Sequence, residues 1–119
     1  MTLRLYPNIF EKAADLIDAN GLAKKAYKDA EGCFCTLGAL NAALDNGFTG
    51  SETGEPGIAH EGMNEWLNYV GHLASVLPDG YTDVPEWNDE PERTKEEVSA
   101  FLRKAAADLW EEYSSHYYA

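Results

Sequence analysis

The sequence predicts an all-α fold: one domain over residues 1–119, a small bundle of about four helices with a short extended arm before residue 33. Three observations carry that expectation. Apolar residues recur at spacings of three and four in three long segments, the period of a half-buried helix. Thr94 and Glu97 form a Thr-x-x-Glu capping box immediately before one such segment. The chain has 119 residues, of which 45% are hydrophobic, enough for one self-sufficient core and too apolar for a disordered chain.

The first helix begins near Asn8. Pro7 blocks earlier continuation, Asn8 is a capping residue type, and Glu11 follows three residues on. Ile9, Phe10, Ala13, Leu16 and Ile17 make one buried stripe, and Asn20-Gly21 supplies the stop, with glycine in a left-handed conformation. Residues 22–32, LAKKAYKDAEG, read either as a helical continuation or as an extended arm with a turn at Asp29–Gly32; the arm is the preferred reading. Cys33–Leu44 is compact and apolar, with Leu37, Leu40 and Leu44 on one face, and reads as a short buried helix closed by Asn46-Gly47. Phe48–Gly57 is a glycine-, serine- and threonine-rich loop.

The next helix is expected over Ala59–Leu77. Met63, Trp66, Leu67, Val70, Leu73, Ala74 and Leu77 form its apolar face, and His72 lies among the residues turned to water. Pro78-Asp79-Gly80 ends it. Tyr81–Pro91 is a second loop. The last helix runs from Thr94 to about Ser115, burying Val98, Phe101, Leu102, Ala105, Ala106, Leu109 and Tyr113.

Nine basic side chains stand against twenty-one acidic ones, a net charge of −12. Such a field repels phosphate backbones and anionic membrane surfaces and attracts a basic protein, so the expected partner is a protein and not a nucleic acid or a membrane. No apolar run approaches the roughly 20 residues that span a bilayer. The N-terminal stretch meets acidic side chains too soon for a secretory signal, so the expected location is the cytoplasm. Cys33 and Cys35 are the only cysteines. A bridge between positions two apart is strained, and in a reducing compartment both are free thiols.

The residues with most claim to a specific role are Trp87, Asn88, Asp89 and Arg93. Their architectural reading has Trp87 packing on the bundle, Asn88 and Asp89 capping a turn through local bonds, and Arg93 pairing with Asp89 or Glu90. Their functional reading is an interface: a presented aromatic with polar neighbours. Cys35, ahead of an apolar helix, is the alternative catalytic candidate, because a helix N-terminus lowers a thiol pKa. Of the histidines, only His60, at a helix start, is placed to approach it; His72 lies on a solvated face and His116 in the last helical turn. No metal or cofactor is expected. Cys33, Cys35, His60 and His72 match no zinc spacing. Asp45 and Gly50 fit the first and sixth positions of a calcium loop, but Pro56 stands where a carboxylate is required. No glycine-rich phosphate cradle is present.

Two segments, CTLGAL (Cys35–Leu40) and WNDEPERTKEEVSAFLRKAA (Trp87–Ala106), resemble a family of small proteins of actinobacteria and their bacteriophages. The shared pattern is C-x-L-G-A-L followed by W-N-D-x-P-x-R-T-x-x-E-V, matched here by Cys35, Leu37, Gly38, Trp87, Asn88, Asp89, Pro91, Arg93, Thr94, Glu97 and Val98. The resemblance implies a bacterial or phage-encoded cytoplasmic protein and implies no reaction. The expected function is therefore that of a small acidic accessory module binding another protein, on a host or viral factor. The alternatives are a thiol-dependent hydrolase or transferase using Cys35, and an acidic DNA-mimic inhibitor.

Overall fold

A computed structural model describes residues 5–49 and 57–118, with side chains as far as residue 113. Helix α1 spans Pro7–Asn20. Proline holds its first position, where its fixed φ suits the helix and its missing N–H costs nothing. The cap is Tyr6 and not Asn8, and no side chain bonds the first turn; Tyr6 instead offers its carbonyl to the Ile9 N–H at 3.0 Å. Gly21 stops the helix with φ 99° and ψ 170°, so the chain leaves extended, its N–H bonded to the Ile17 carbonyl at 2.8 Å.

The arm segment that follows is not helical; it bends over residues 24–27 rather than running extended, and isolated bridges pin its two ends: Leu22 to Phe34 in parallel, Lys28 to Phe34 antiparallel. The expected turn at Asp29–Gly32 is present. Asp29 Oδ1 accepts the N–H groups of Glu31 and Cys33 at 3.0 and 2.9 Å. Helix α2 then runs Thr36–Ala43, shorter than expected because Cys35 is its cap. Its exit also differs. Asp45 turns the chain with φ 58°, and Asn46 does another job. The Asn46 amide bonds buried Asn41 at 2.6 Å and the Ala59 carbonyl at 3.2 Å, tying the end of α2 to the segment that begins the next unit.

That segment corrects the expectation of a purely helical chain. Phe48–Thr49 (β1) and Gly57–Ile58 (β2) pair as an antiparallel ribbon, Phe48 opposite Ile58. The tip of the expected loop, residues 50–56, lies outside the described residues. A single 3-10 turn, His60–Gly62, leads into helix α3, Met63–Ser75. The buried residues of α3 are Trp66, Tyr69 and Leu73. Its buried face is thus rotated toward Tyr69 relative to the one expected: Leu67 is 49% exposed and Ala74 faces solvent. His72, expected on a solvated face, is half-buried against Phe10, with Nε2 3.2 Å from the Ala105 carbonyl, an acceptor that requires the Nε2–H form.

The second loop contains a helix, α4, Val84–Asn88. Asp83 caps it, accepting the Glu86 N–H at 2.8 Å. Helix α5 spans Lys95–Tyr118. Its capping box forms as written in the sequence: Glu97 N–H to Thr94 Oγ1 at 3.1 Å, Thr94 N–H to Glu97 Oε1 at 3.0 Å. The expected buried face is realised from Val98 to Leu109, and Tyr113 is half-buried.

Helices α1 and α5 lie antiparallel. Tyr113 donates to the Leu5 carbonyl at one end, and Arg103 bridges Asp15 and Asp18 at the other. Ala13, Ala14, Ala105 and Ala106 are all buried in the core, and their small side chains let the two helices approach. Helix α2 closes one side through its apolar face. Helix α3 closes another through Trp66, whose Nε1 donates to the Leu37 carbonyl at 3.0 Å, and through the Phe10–Tyr69 ring pair. Among the described residues the result is a mostly helical fold carrying one two-strand ribbon.

Candidate functional site: two hollows divided by helix α4

Consecutive residues of a helix point about 100° apart, so a short helix wedged between two neighbours shows each a different side chain. In α4 those residues are Trp87 and Asn88. Trp87 turns toward α5, its ring 4.5 Å from that of Phe101, and is only 4% exposed. Asn88, at 1% exposure, turns toward α2 and the arm. A hollow lies on each side.

On the arm side is a cavity of about 250 Å3 lined by Lys25, Ala26, Tyr27, Cys35, Leu37, Pro85, Asn88 and Asp89. Asn88 is its structural pin. Its Oδ1 accepts from the Thr36 N–H at 2.8 Å and the Thr36 hydroxyl at 2.6 Å, and its Nδ2 donates to the Ala23 carbonyl at 3.0 Å and to Asp89 Oδ1 at 3.0 Å. Asp89 Oδ1 also accepts the N–H of Lys25 at 2.9 Å, which holds Lys25 at φ 65°, a left-handed conformation that side chains resist. The Lys24 ammonium donates to the carbonyls of Glu90 and Pro91 at 2.6 and 2.9 Å. The expected local caps at Asn88 and Asp89 are therefore long-range ties, joining α4 to residues more than fifty positions away.

Cys35 borders the same cavity, and its sulfur caps α2 by accepting the Gly38 N–H at 3.3 Å. The thiol activation expected of a helix N-terminus is reversed. Burial pushes the Cys35 thiol up to about 11, outweighing the bonds from the Gly38 and Leu37 N–H groups that favour the thiolate. His60 is exposed on the 3-10 turn and is not among the cavity residues. Cys33 is also a free thiol, raised by its partial burial and by Asp29. His116 lies beyond the described side chains, as do Tyr117 and Tyr118.

The C-x-L-G-A-L segment acquires a structural meaning here. A Cβ on Gly38 would stand 1.8 Å from the Tyr27 carbonyl oxygen, so only glycine lets the arm lie against α2. That carbonyl accepts the Cys35 N–H at 3.2 Å, and Leu37 offers its own to Trp66. Cysteine caps, glycine admits the arm, and leucine anchors α3.

On the α5 side is a wider trough of about 610 Å3, lined by Val76, Leu77, Pro78, Asp79, Trp87, Arg93, Glu97, Ala100, Phe101 and Lys104. Arg93 does not pair with Asp89 or Glu90. Its guanidinium lies 4.3 Å from the Trp87 ring centre, donates from Nε to the Trp87 carbonyl at 2.9 Å, and reaches the Tyr81 hydroxyl and Glu97, both at 3.2 Å. Cation–π contact and three directed bonds fix it as a wall of the trough.

The four residues singled out in the sequence are thus neighbours but serve opposite sides: Asn88 and Asp89 the cavity, Trp87 and Arg93 the trough. Trp87 contributes to the trough floor from a buried position and is not a protruding aromatic. Lys25, Tyr27 and Ala100 carry no local sequence signal. Lys25 becomes a site residue only because Asp89, sixty-four positions on, holds its backbone.

The fold and its two hollows define a mostly helical domain with concave surfaces on either side of one short helix. The chain belongs to a family of unknown function, DUF6197, whose pattern matches residues 1–108 and so spans both hollows and both resemblance segments. No curated protein and no solved structure matches it. Among the described residues no helix is long and apolar enough to cross a membrane.

Proposed function

We propose that this chain is a small acidic accessory protein that binds another protein, seating an amphipathic helix of a basic partner in the trough between the α3 exit and α5. The observation that carries this reading is the trough itself. Its floor is the Trp87–Phe101 pair, its far wall is Val76, Leu77 and Pro78, and on α5 the small Ala100 sits between Glu97 and Lys104, leaving room for a helix to approach. The net charge of −12 favours a basic partner and raises its rate of encounter. We read the protein as cytoplasmic, which suits two free thiols, and, on the motif resemblance, as bacterial or phage-encoded and acting on a host or viral factor.

The test is capture from host lysate by the wild-type chain and by Ala100→Arg, at low and high salt. Ala100 is exposed, so the variant folds and its circular dichroism matches wild type. A partner retained at high salt by wild type and lost by Ala100→Arg supports the trough; equal capture by both chains refutes it.

The thiol-enzyme reading has less to support it. Cys35 is raised, buried and occupied as a cap, and His60 is elsewhere on the surface. The DNA-mimic reading needs free carboxylates in a double row. Here Asp15 and Asp18 hold Arg103, Glu97 holds Arg93, and Asp29, Asp83 and Asp89 hold backbone N–H groups.

A further inference from the structure

We infer that the cavity between the arm and α4 is a second, independent binding site, for a free α-amino acid with an apolar side chain. Its two charged lining groups are Lys25 and Asp89. Among the described residues neither forms an ion pair, with each other or with any other side chain, and only Oδ1 of Asp89 is occupied, by the Lys25 N–H and the Asn88 amide. An ammonium and a half-used carboxylate on one rim are complementary to a zwitterion: the ligand carboxylate to Lys25, its ammonium to Asp89. The remaining wall is Ala26, Tyr27, Cys35, Leu37 and Pro85, a mostly apolar lining for a side chain, with the Asn88 amide already committed to its protein partners.

Size narrows the class. At about 250 Å3 the cavity lies below the roughly 300–1,000 Å3 of drug-sized ligand sites, which suits one amino acid and not a nucleotide. Backbone strain points to the same place. Lys25 sits at φ 65°, a cost kept only because the surroundings enforce it, and Asp89, which enforces it, is the other charged group of the cavity. The buried Asn88 network fixes α4 against α2, so the apolar wall and Asp89 are held in one geometry before any ligand arrives. This site stands on the opposite side of α4 from the trough and does not depend on it.

The experiment is a titration of the isotopically labelled full-length chain with L-leucine, followed by amide chemical shifts. Leucinamide and N-acetyl-leucine serve as half-ligands, and they separate a free amino acid from the end of a peptide, which has only one of the two charges. L-leucine is expected to shift the amides of residues 25–27, 35–37 and 85–89, with each half-ligand binding about tenfold or more weakly. Asp89→Asn keeps an Oδ1 acceptor for the Lys25 N–H while removing the charge, and it should weaken leucine about tenfold; Lys25→Met, at an exposed position, should do the same. No shift at about 10 mM L-leucine overturns the inference. So does leucinamide or N-acetyl-leucine binding as well as leucine, or both variants retaining wild-type affinity.

Discussion

Asn88 shows how one side chain can decide a local architecture. It is buried and fully bonded, and its partners come from three parts of the chain: Thr36 at the start of α2, Ala23 in the arm, and the adjacent Asp89. Asn88→Ala strands the Thr36 N–H and the Ala23 carbonyl away from water, and the expected loss is about 3 kcal/mol in urea unfolding. Gly38 is the steric counterpart. Gly38→Ala places a methyl 1.8 Å from a backbone oxygen that cannot yield without lifting the arm, so a loss of about 3 kcal/mol or more is expected in the same measurement. Cys35 gives a pH signature. Its value is raised in the folded state from 9.0 to about 11, so the folded form is disfavoured as the unfolded thiol ionises. The Cys35 contribution is undiminished below about pH 9 and is lost between about pH 9 and 11. Melting temperatures over that interval should drop more for wild type than for Cys35→Ser, which has no thiol to ionise.

At the scale of elements, the capping box is the feature most directly written in the sequence, and it forms as written. Thr94→Ala removes the acceptor for the Glu97 N–H and should cost about 1 kcal/mol, seen as a lowered melting temperature at neutral pH. Glu97 itself is held below its ordinary value, first by the Thr94 N–H and further by Arg93. A lowered carboxylate stabilises the fold above its unfolded value, and that contribution is lost as pH falls through the lower folded value. Glu97→Gln should therefore flatten the acid limb of a stability–pH curve relative to wild type. Helix α4 illustrates the opposite case. Five residues are too few for a period to show, yet a start signal existed: Asp83 with Pro85 and Glu86 behind it is a cap followed by a first-turn proline and a first-turn acid. In α3 the composition was legible but the rotation was not. Leu67 and Tyr69 compete for the core, and Tyr69 wins because its ring meets Phe10 and its hydroxyl accepts the Tyr6 N–H at 3.0 Å.

For the whole molecule, the acidic surface and the two hollows act at different ranges. On the proposed reading, the net charge of −12, screened within about 8 Å at physiological salt, would set how fast a basic partner arrives, whereas the trough would set how long it stays. Association rates should therefore fall steeply with added salt while dissociation rates change little, a contrast that stopped-flow or surface-based kinetics measures once the partner is in hand. The trough also separates the roles of the four residues the sequence pointed to. Trp87 and Arg93 should affect partner capture, and Asp89 should not. Proximity in sequence brought them to notice together; the wedge of α4 divides them.

By itself the sequence determined what short-range chemistry determines. It set the helical character of α1, α3 and α5, the glycine stop at Gly21, the turn at Asp29, the capping box, and the net charge of −12. Each rests on residues a few positions apart, where spacing and side-chain type suffice. The tertiary structure alone decided which face of α3 is buried, that Phe48 pairs with Ile58, that Cys35 is a buried cap with a raised thiol, and that Lys25 and Asp89 share a cavity. These depend on contacts between distant parts of the chain, and no local pattern encodes which distant partner a buried amide, a ring or a carboxylate will meet.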